Sequence, residues 1–194
     1  RAGETGTVAN ALAFKFPECA GIGDDLRDGG LVHRLDIGTS GALLAARNES
    51  AYRTLREAFS SGQVHKEYLA VVRGRLGAND CAAPLTQRGD HVVADYAEGL
   101  SAYTEFTVEK TAGDYSLVRC VARSGRMHQI RAHLSLTGAP IIGDTRYSGT
   151  AHAGFEGFFL HAETLAFTHN GEAIRVVAPL PESHAALLTS LKLA

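Results

Sequence analysis

The dipeptide Asn170-Gly171, set between the runs Leu165–His169 and Glu172–Ala178, restricts the fold more than any other feature of the chain. Asn-Gly supplies the two left-handed backbone conformations of a type I′ turn, whose twist matches that of paired antiparallel strands. The chain must therefore carry sheet, and other segments agree. Glu67–Arg73 and Ser116–Ala122 read as strands, and Ala102–Glu109 alternates, with Phe106 and Val108 on one side. These are expected to pair antiparallel. Helical spacings fill the gaps. A first helix is expected over about Thr7–Lys15, capped by Thr5 or Thr7, with Val8, Ala11 and Leu12 on one face. A second starts at Asn48, places Tyr52, Leu55 and Phe59 at i, i+3 and i+7, and ends at Gly62, where a left-handed cap is wanted. Met127–Leu136 brings Ile130 and Leu134 together before Gly138 and Pro140, and a short helix over about Glu182–Leu191 closes the chain. Pro17–Gly30 reads as a loop, and within polar Gly77–Gly99 the pair Val92 and Val93 marks a local strand. The expectation is one α+β domain over residues 1–194, with a central, mostly antiparallel sheet flanked by helices and an active-site cleft across it.

Composition removes several classes of function. A chain of 194 residues that is 45% hydrophobic can bury roughly 70% of the surface of its unfolded form without staples. Cys19, Cys81 and Cys120 are odd in number and scattered, so reduced packing residues are expected rather than a disulfide framework. No apolar run approaches the roughly 20 residues that span a bilayer, and no charged-then-apolar leader follows Arg1. A cytoplasmic monomer with no membrane partner is expected. Lys and Arg number 19 against 21 Asp and Glu, a formal net charge of −2; this argues against indiscriminate coating of nucleic acid and leaves local basic patches open.

Spacing excludes most familiar chemistries. Gly21-Ile-Gly23 opens like a dinucleotide fingerprint, but Leu26 stands where the third Gly belongs. No Lys follows Gly38-Thr-Ser-Gly41, so it is no phosphate-gripping loop. His161-Ala-Glu163 matches half of a zinc-deaminase signature without the Pro-Cys-x-x-Cys that completes it. None of the nine histidines falls in His-Glu-x-x-His, and His128 and His133 are five apart, which does not align them on one helical face. No metal is expected. Ser40 lacks both the Gly-x-Ser-x-Gly setting and an obvious base.

Three clusters remain. Asp36 follows His33, Arg34 and Leu35 and precedes the turn-forming Gly38-Thr-Ser-Gly41. Arg119, Arg123, Arg126 and Arg131 place four positive charges in thirteen residues with no acid among them, and they are expected on one concave side suited to phosphate. Lys66-Glu-Tyr68 leads into a strand. Taken separately, a solvated loop, a solvated face and a core aromatic explain them.

Together, and in order along nearly the whole chain, they form a known pattern. The stretches are Thr5-Gly-Thr-Val-Ala-Asn-Ala-Leu12, His33-Arg-Leu-Asp-Ile-Gly-Thr-Ser-Gly41, Lys66-Glu-Tyr68, Gly125-Arg-Met-His-Gln-Ile-Arg-Ala-His133, Pro140-Ile-Ile-Gly-Asp144 and Leu160-His-Ala162. The chain resembles the RluA family of RNA pseudouridine synthases. The resemblance implies isomerisation of uridine to pseudouridine in structured ribosomal or transfer RNA, with no cofactor, and Asp36 as the nucleophile at the ribose anomeric carbon or at carbon 6 of uracil. By motif position Arg131 is the partner of Asp36, and Tyr68 is the tyrosine that packs on the uracil face near the site of proton removal. A carboxylate nucleophile must be ionised and held in place, which suits a neighbouring guanidinium. Arg34 is a candidate to fill the space the base leaves in the RNA; Lys66, Arg123 and Arg126 are candidate RNA contacts. His33 and His128 position the motif turns or touch phosphate, and Ile130 and Ile142 wall the uracil. Family members carry a strand with a Lys-Pro pair before the Thr5-Gly-Thr7 stretch, and many add a small RNA-binding module, so the expectation is a catalytic domain lacking both. Two rivals remain: an RNA-binding or ribosome-assembly factor that has lost the chemistry, and a carboxylate-dependent nucleoside glycosidase, which would want a second paired carboxylate near Asp36.

Overall fold

The computed structural model describes residues 5–25 and 27–194, so Arg1 and Leu26 lie outside the described residues. The helices are α1 (Val8–Lys15), α2 (Glu49–Ser60), α3 (Gln129–Leu136) and α4 (Glu182–Ser190). The strands are β1 (Ser40–Gly41), β2 (His65–Arg73), β3 (Asp80–Cys81), β4 (Leu85–Arg88), β5 (His91–Ala94), β6 (Thr104–Ala112), β7 (Tyr115–Ala122), β8 (Leu160–His169) and β9 (Glu172–Val177). Seven of them form one sheet in the order β1-β8-β2-β7-β6-β3, with β9 on β8; β4 and β5 form a separate hairpin. Only β1 and β8 pair in parallel among the described registers, so the α+β class with a mostly antiparallel sheet is what the structure shows.

The chain forms two compact units. The first comprises Arg1–Leu35, Leu43–Val64 and Phe167–Ile174, and the second Asp36–Ala42, His65–Ala166 and Arg175–Ala194. In the first, Thr7 and Asn10 close a reciprocal capping box that starts α1, each side chain meeting the other's backbone N–H. The expected apolar face of α1 is not buried: no residue of the helix is, and Val8 is 53% exposed. Helix α2 follows its pattern more closely. Asn48 caps it, Tyr52 and Leu55 are buried, and Gly62 has φ +75° at its end. Among the described residues of Pro17–Gly30 there is one 3-10 turn, at Pro17–Cys19. Buried Cys19 sits there, and all three cysteines are free. The Asn170-Gly171 turn has positive φ at both residues, as a type I′ hairpin requires.

In the second unit the twofold alternation of the strands builds two cores. Ala70 and Val72 of β2, Phe106 of β6, and Val118 and Cys120 of β7 face α3 through Ile130 and Leu134, with Ile141 and Phe158. On the other side, Leu69, Val71 and Leu117 meet Leu187 and Leu188 of α4, with Ile142 and Phe159. Burying such a side chain fully contributes about 1.5–3 kcal/mol, so α3 and α4 are held mainly by these faces. Val108 pairs with Val118 as Phe106 pairs with Cys120, so the two share a side as expected; Val108 is nonetheless 45% exposed, and the register shifts only beyond it, between Val108 and Lys110.

Candidate active site

Asp36 opens a tight turn. The Thr39 N–H donates to the Asp36 carbonyl at 2.9 Å, and Gly38 takes φ +94° at the position where a side chain would be strained. The chain then enters β1, whose Gly41 approaches β8 so closely that a Cβ would lie 2.2 Å from the Ala162 carbonyl oxygen. The turn is tied to β8 by a side chain as well: Ser40 Oγ lies 2.8 Å from His161 Nδ1. The other ring nitrogen of His161 is 3.1 Å from the Ala178 carbonyl, which can only accept, so Nε2 carries the proton and Nδ1 accepts from Ser40. Ser40 therefore has a histidine partner that its sequence setting does not announce, and the pair pins the turn carrying Asp36.

Arg131 rises from α3 to meet that turn. Its Nε and Nη2 donate to the two oxygens of Asp144 at 2.7 and 2.8 Å, and its Nη1 is 3.4 Å from Asp36 Oδ2. The guanidinium lies over the rings of Phe158 and Tyr147, 4.3 and 4.9 Å from their centroids. A forked ion pair on one edge and two aromatic rings packed against it hold the planar group in place. The start of α3 is built by its own motif. Gln129 accepts from Ser124 Oγ and the Arg126 N–H and donates to the Tyr103 carbonyl and Thr104 Oγ1. His133 accepts from Thr104 Oγ1 and donates to the Ala83 carbonyl. The polar residues of Gly125–His133 thus fasten the helix that aims Arg131.

Tyr68 packs against the α3-side core, and its phenol is pushed up to about 12, first by burial and then by the charge of Asp36. Ile130 belongs to the same core. Ile142 does not: it is buried with Val71 and Phe159 in the core on the opposite face, because neighbouring residues of an extended segment point to opposite sides. His128 stands at the N-terminus of α3 with φ +51°, its Nε2 4.0 Å from Asp36 Oδ2.

The four arginines do not share one side. Arg119 lies on the α4 side of β7, held by Glu67, Glu109 and Glu163. Arg123 pairs with Glu105 at 2.8 Å on the surface. Arg126 is exposed and donates to the Ser101 carbonyl, with no carboxylate partner among the described residues. Lys66 is buried, and burial pushes its ammonium down. In the first unit, His33 stacks on Phe59 at 4.5 Å and accepts from the Leu44 N–H, and Arg34 is exposed. Among the described residues, no group of three His, Cys, Asp or Glu is placed to hold a metal, and no helix is long and apolar enough to cross a membrane. Sequence reasoning assigned nothing to Asp144, Tyr147 and Phe158; Asp144 closes the Pro140–Asp144 motif, while Tyr147 and Phe158 carry no signal outside the fold.

Asp36, the buried guanidinium of Arg131 and Tyr68 are the site residues that the structure brings together. The profile of a family described as RNA pseudouridylate synthase matches residues 23–136, and the chain belongs to this family. An uncharacterized RNA pseudouridine synthase, YlyB, of Bacillus subtilis (strain 168) is 36% identical over 97% of this chain and 64% of its own length. Ribosomal large subunit pseudouridine synthase C of Escherichia coli (strain K12) is 40% identical over 84% of this chain and 56% of its own length. The chain thus spans about three fifths of these relatives. The solved structure of human RNA Pseudouridylate Synthase Domain Containing 4 superposes with a TM-score of 0.73 at 24% identity, over 84% of this chain and 75% of that one, a likeness of fold.

Proposed function

We propose that this chain isomerises uridine to pseudouridine in structured RNA, ribosomal RNA foremost, with Asp36 as the nucleophile. One observation carries the reading: Arg131, immobilised by Asp144 and two aromatic rings, presents its remaining edge to Asp36 beside the face that holds Tyr68. The target base must leave its stack, at a cost of a few kcal/mol that phosphate and groove contacts offset. A carboxylate oxygen of Asp36 then forms a bond to the ribose anomeric carbon as the glycosidic nitrogen leaves, or adds to carbon 6 of the ring, after which the bond from the ring nitrogen to the anomeric carbon breaks. The uracil turns, carbon 5 bonds to the anomeric carbon, the Asp36 oxygen is released, and the carbon 5 proton passes to solvent. Every group in this scheme is protein or RNA.

Tyr68 offers a stacking face worth roughly 1–3 kcal/mol for one base. With its phenol pushed up to about 12 it stays protonated at neutral pH, so it enters the reaction as a donor and a surface. Ile130 packs in the core that Tyr68 joins. Arg34, two residues before Asp36 in the chain, and Arg126 are exposed cations without a described carboxylate partner, and both suit RNA. The relatives named for the ribosomal large subunit favour ribosomal RNA over transfer RNA.

The test is tritium release from cellular RNA labelled at carbon 5 of uridine, comparing this chain with Asp36→Ala. Release by the parent and none by the variant, with RNA affinity kept within a few-fold, is expected. RNA binding by both without release by either would leave a catalytically silent RNA-binding factor.

A further inference from the structure

We infer that Tyr147 and His128 are positioning residues that divide the two oxygens of the Asp36 carboxylate, directing an imidazole N–H and the Arg131 guanidinium to Oδ2 and leaving Oδ1 to attack. This rests on the reading of Asp36 as nucleophile. The hydrogen-bond chain starts at a backbone amide 55 residues from Tyr147. The Val92 N–H donates to the Tyr147 hydroxyl oxygen at 2.8 Å, and an amide can only donate. Tyr147 is buried, and the other partner of its hydroxyl is His128 Nδ1, also at 2.8 Å. If Nδ1 carried a proton, the phenol proton would be buried with no acceptor, an arrangement that costs more than the alternative tautomer. Tyr147 therefore donates to Nδ1, and the neutral ring holds its proton on Nε2.

That nitrogen faces Asp36 Oδ2 at 4.0 Å, the same oxygen that Arg131 Nη1 approaches at 3.4 Å. Both separations exceed a closed hydrogen bond, as is common before substrate tightens a site. The ring is held edge-on to Tyr147, 5.7 Å between centroids, and His128 adopts a left-handed backbone conformation that only its surroundings sustain. Burial pushes its imidazole down and keeps it neutral; Asp36 and Asp144 favour the charged ring, while Arg131 and Arg146 oppose it. Tyr147 also lies under the Arg131 guanidinium. One phenol thus steadies both groups that face Oδ2.

The test reads the tautomer directly. Nitrogen-15 NMR of the His128 ring in the full chain at neutral pH is expected to show the Nε2–H form, and this reading needs no turnover. In Tyr147→Phe, Nδ1 loses its donor: the ring should titrate at higher pH and populate both tautomers. By tritium release, kcat should fall about tenfold with KM within about twofold. His128→Gln, whose amide can place an N–H near the position of Nε2, should retain more activity than His128→Ala. An Nδ1–H ring in the parent overturns the inference, as does a Tyr147→Phe variant with unchanged tautomer and pH profile. An inactive parent with the expected tautomer would instead count against the isomerase reading.

Discussion

Arg131 and Arg119 sit on opposite faces of one sheet, the first buried and the second partly exposed, both among carboxylates, and only Arg131 faces Asp36. Arg119 is outnumbered: Glu67, Glu109 and Glu163 share its charge through Nε and Nη1, joining β2, β6, β7 and β8. Arg131 is held by one carboxylate through two of its nitrogens, which leaves a third for Asp36. The number of positive charges in a segment therefore says little about function. What matters is how many carboxylates share a guanidinium's charge and what its remaining edge faces.

Removing Arg131 should have the largest effect. Arg131→Met strands Asp144, whose side chain is 1% exposed, and is expected to destabilise the protein by about 3–5 kcal/mol while abolishing tritium release. Adding Asp144→Leu should recover most of that stability in a urea titration and none of the activity; recovered activity would show that Arg131 serves only the fold. Arg119→Met should cost less, about 1–3 kcal/mol, and leave turnover per folded molecule unchanged. A loss of turnover there would erase the contrast between the two arginines.

Acid should sharpen it. The Glu67 carboxyl is held below its ordinary value by the hydrogen bond from His65 and then by Arg119. Its folded form therefore binds protons less readily than the unfolded chain. The stability it contributes is full above about pH 4.5 and lost as pH falls through the lower folded value. Urea midpoints measured from pH 6 to pH 3 should show a smaller acid loss in Arg119→Met than in the parent. The smallest effects belong to the surface. Arg123→Ala breaks one exposed pair and should change stability by a few tenths of a kcal/mol. Arg126→Ala should reduce the salt slope of RNA binding by about one, and an equal reduction from Arg123→Ala would mean that Glu105 does not withhold it.

Much of the architecture was legible because its causes are local. Asn170-Gly171 turns the chain by backbone sterics, Asn48 and Gly62 bound α2 by capping, and the spacing of Ile130 and Leu134 marks the buried face of α3. The meeting of Asp36 with Arg131, 95 residues apart, was legible only through a family resemblance, since no local pattern encodes it. Other features were out of reach. Ile141 and Ile142 are chemically identical neighbours, yet they enter different cores, and the register that separates them is set by pairing with β2. The exposure of Val108 and the lack of burial along α1 likewise depend on what lies opposite.

The sequence by itself determined the elements, the sheet class and the residue types the chemistry requires, because turns, caps and periodicity are settled within a few residues. Only the tertiary structure decided which arginine faces Asp36, that Ser40 has a histidine partner, and which nitrogen of His128 bears the proton. Those properties are sums over partners brought together from distant parts of the chain, and neither a charge nor a tautomer is assigned until every donor and acceptor around it is in place.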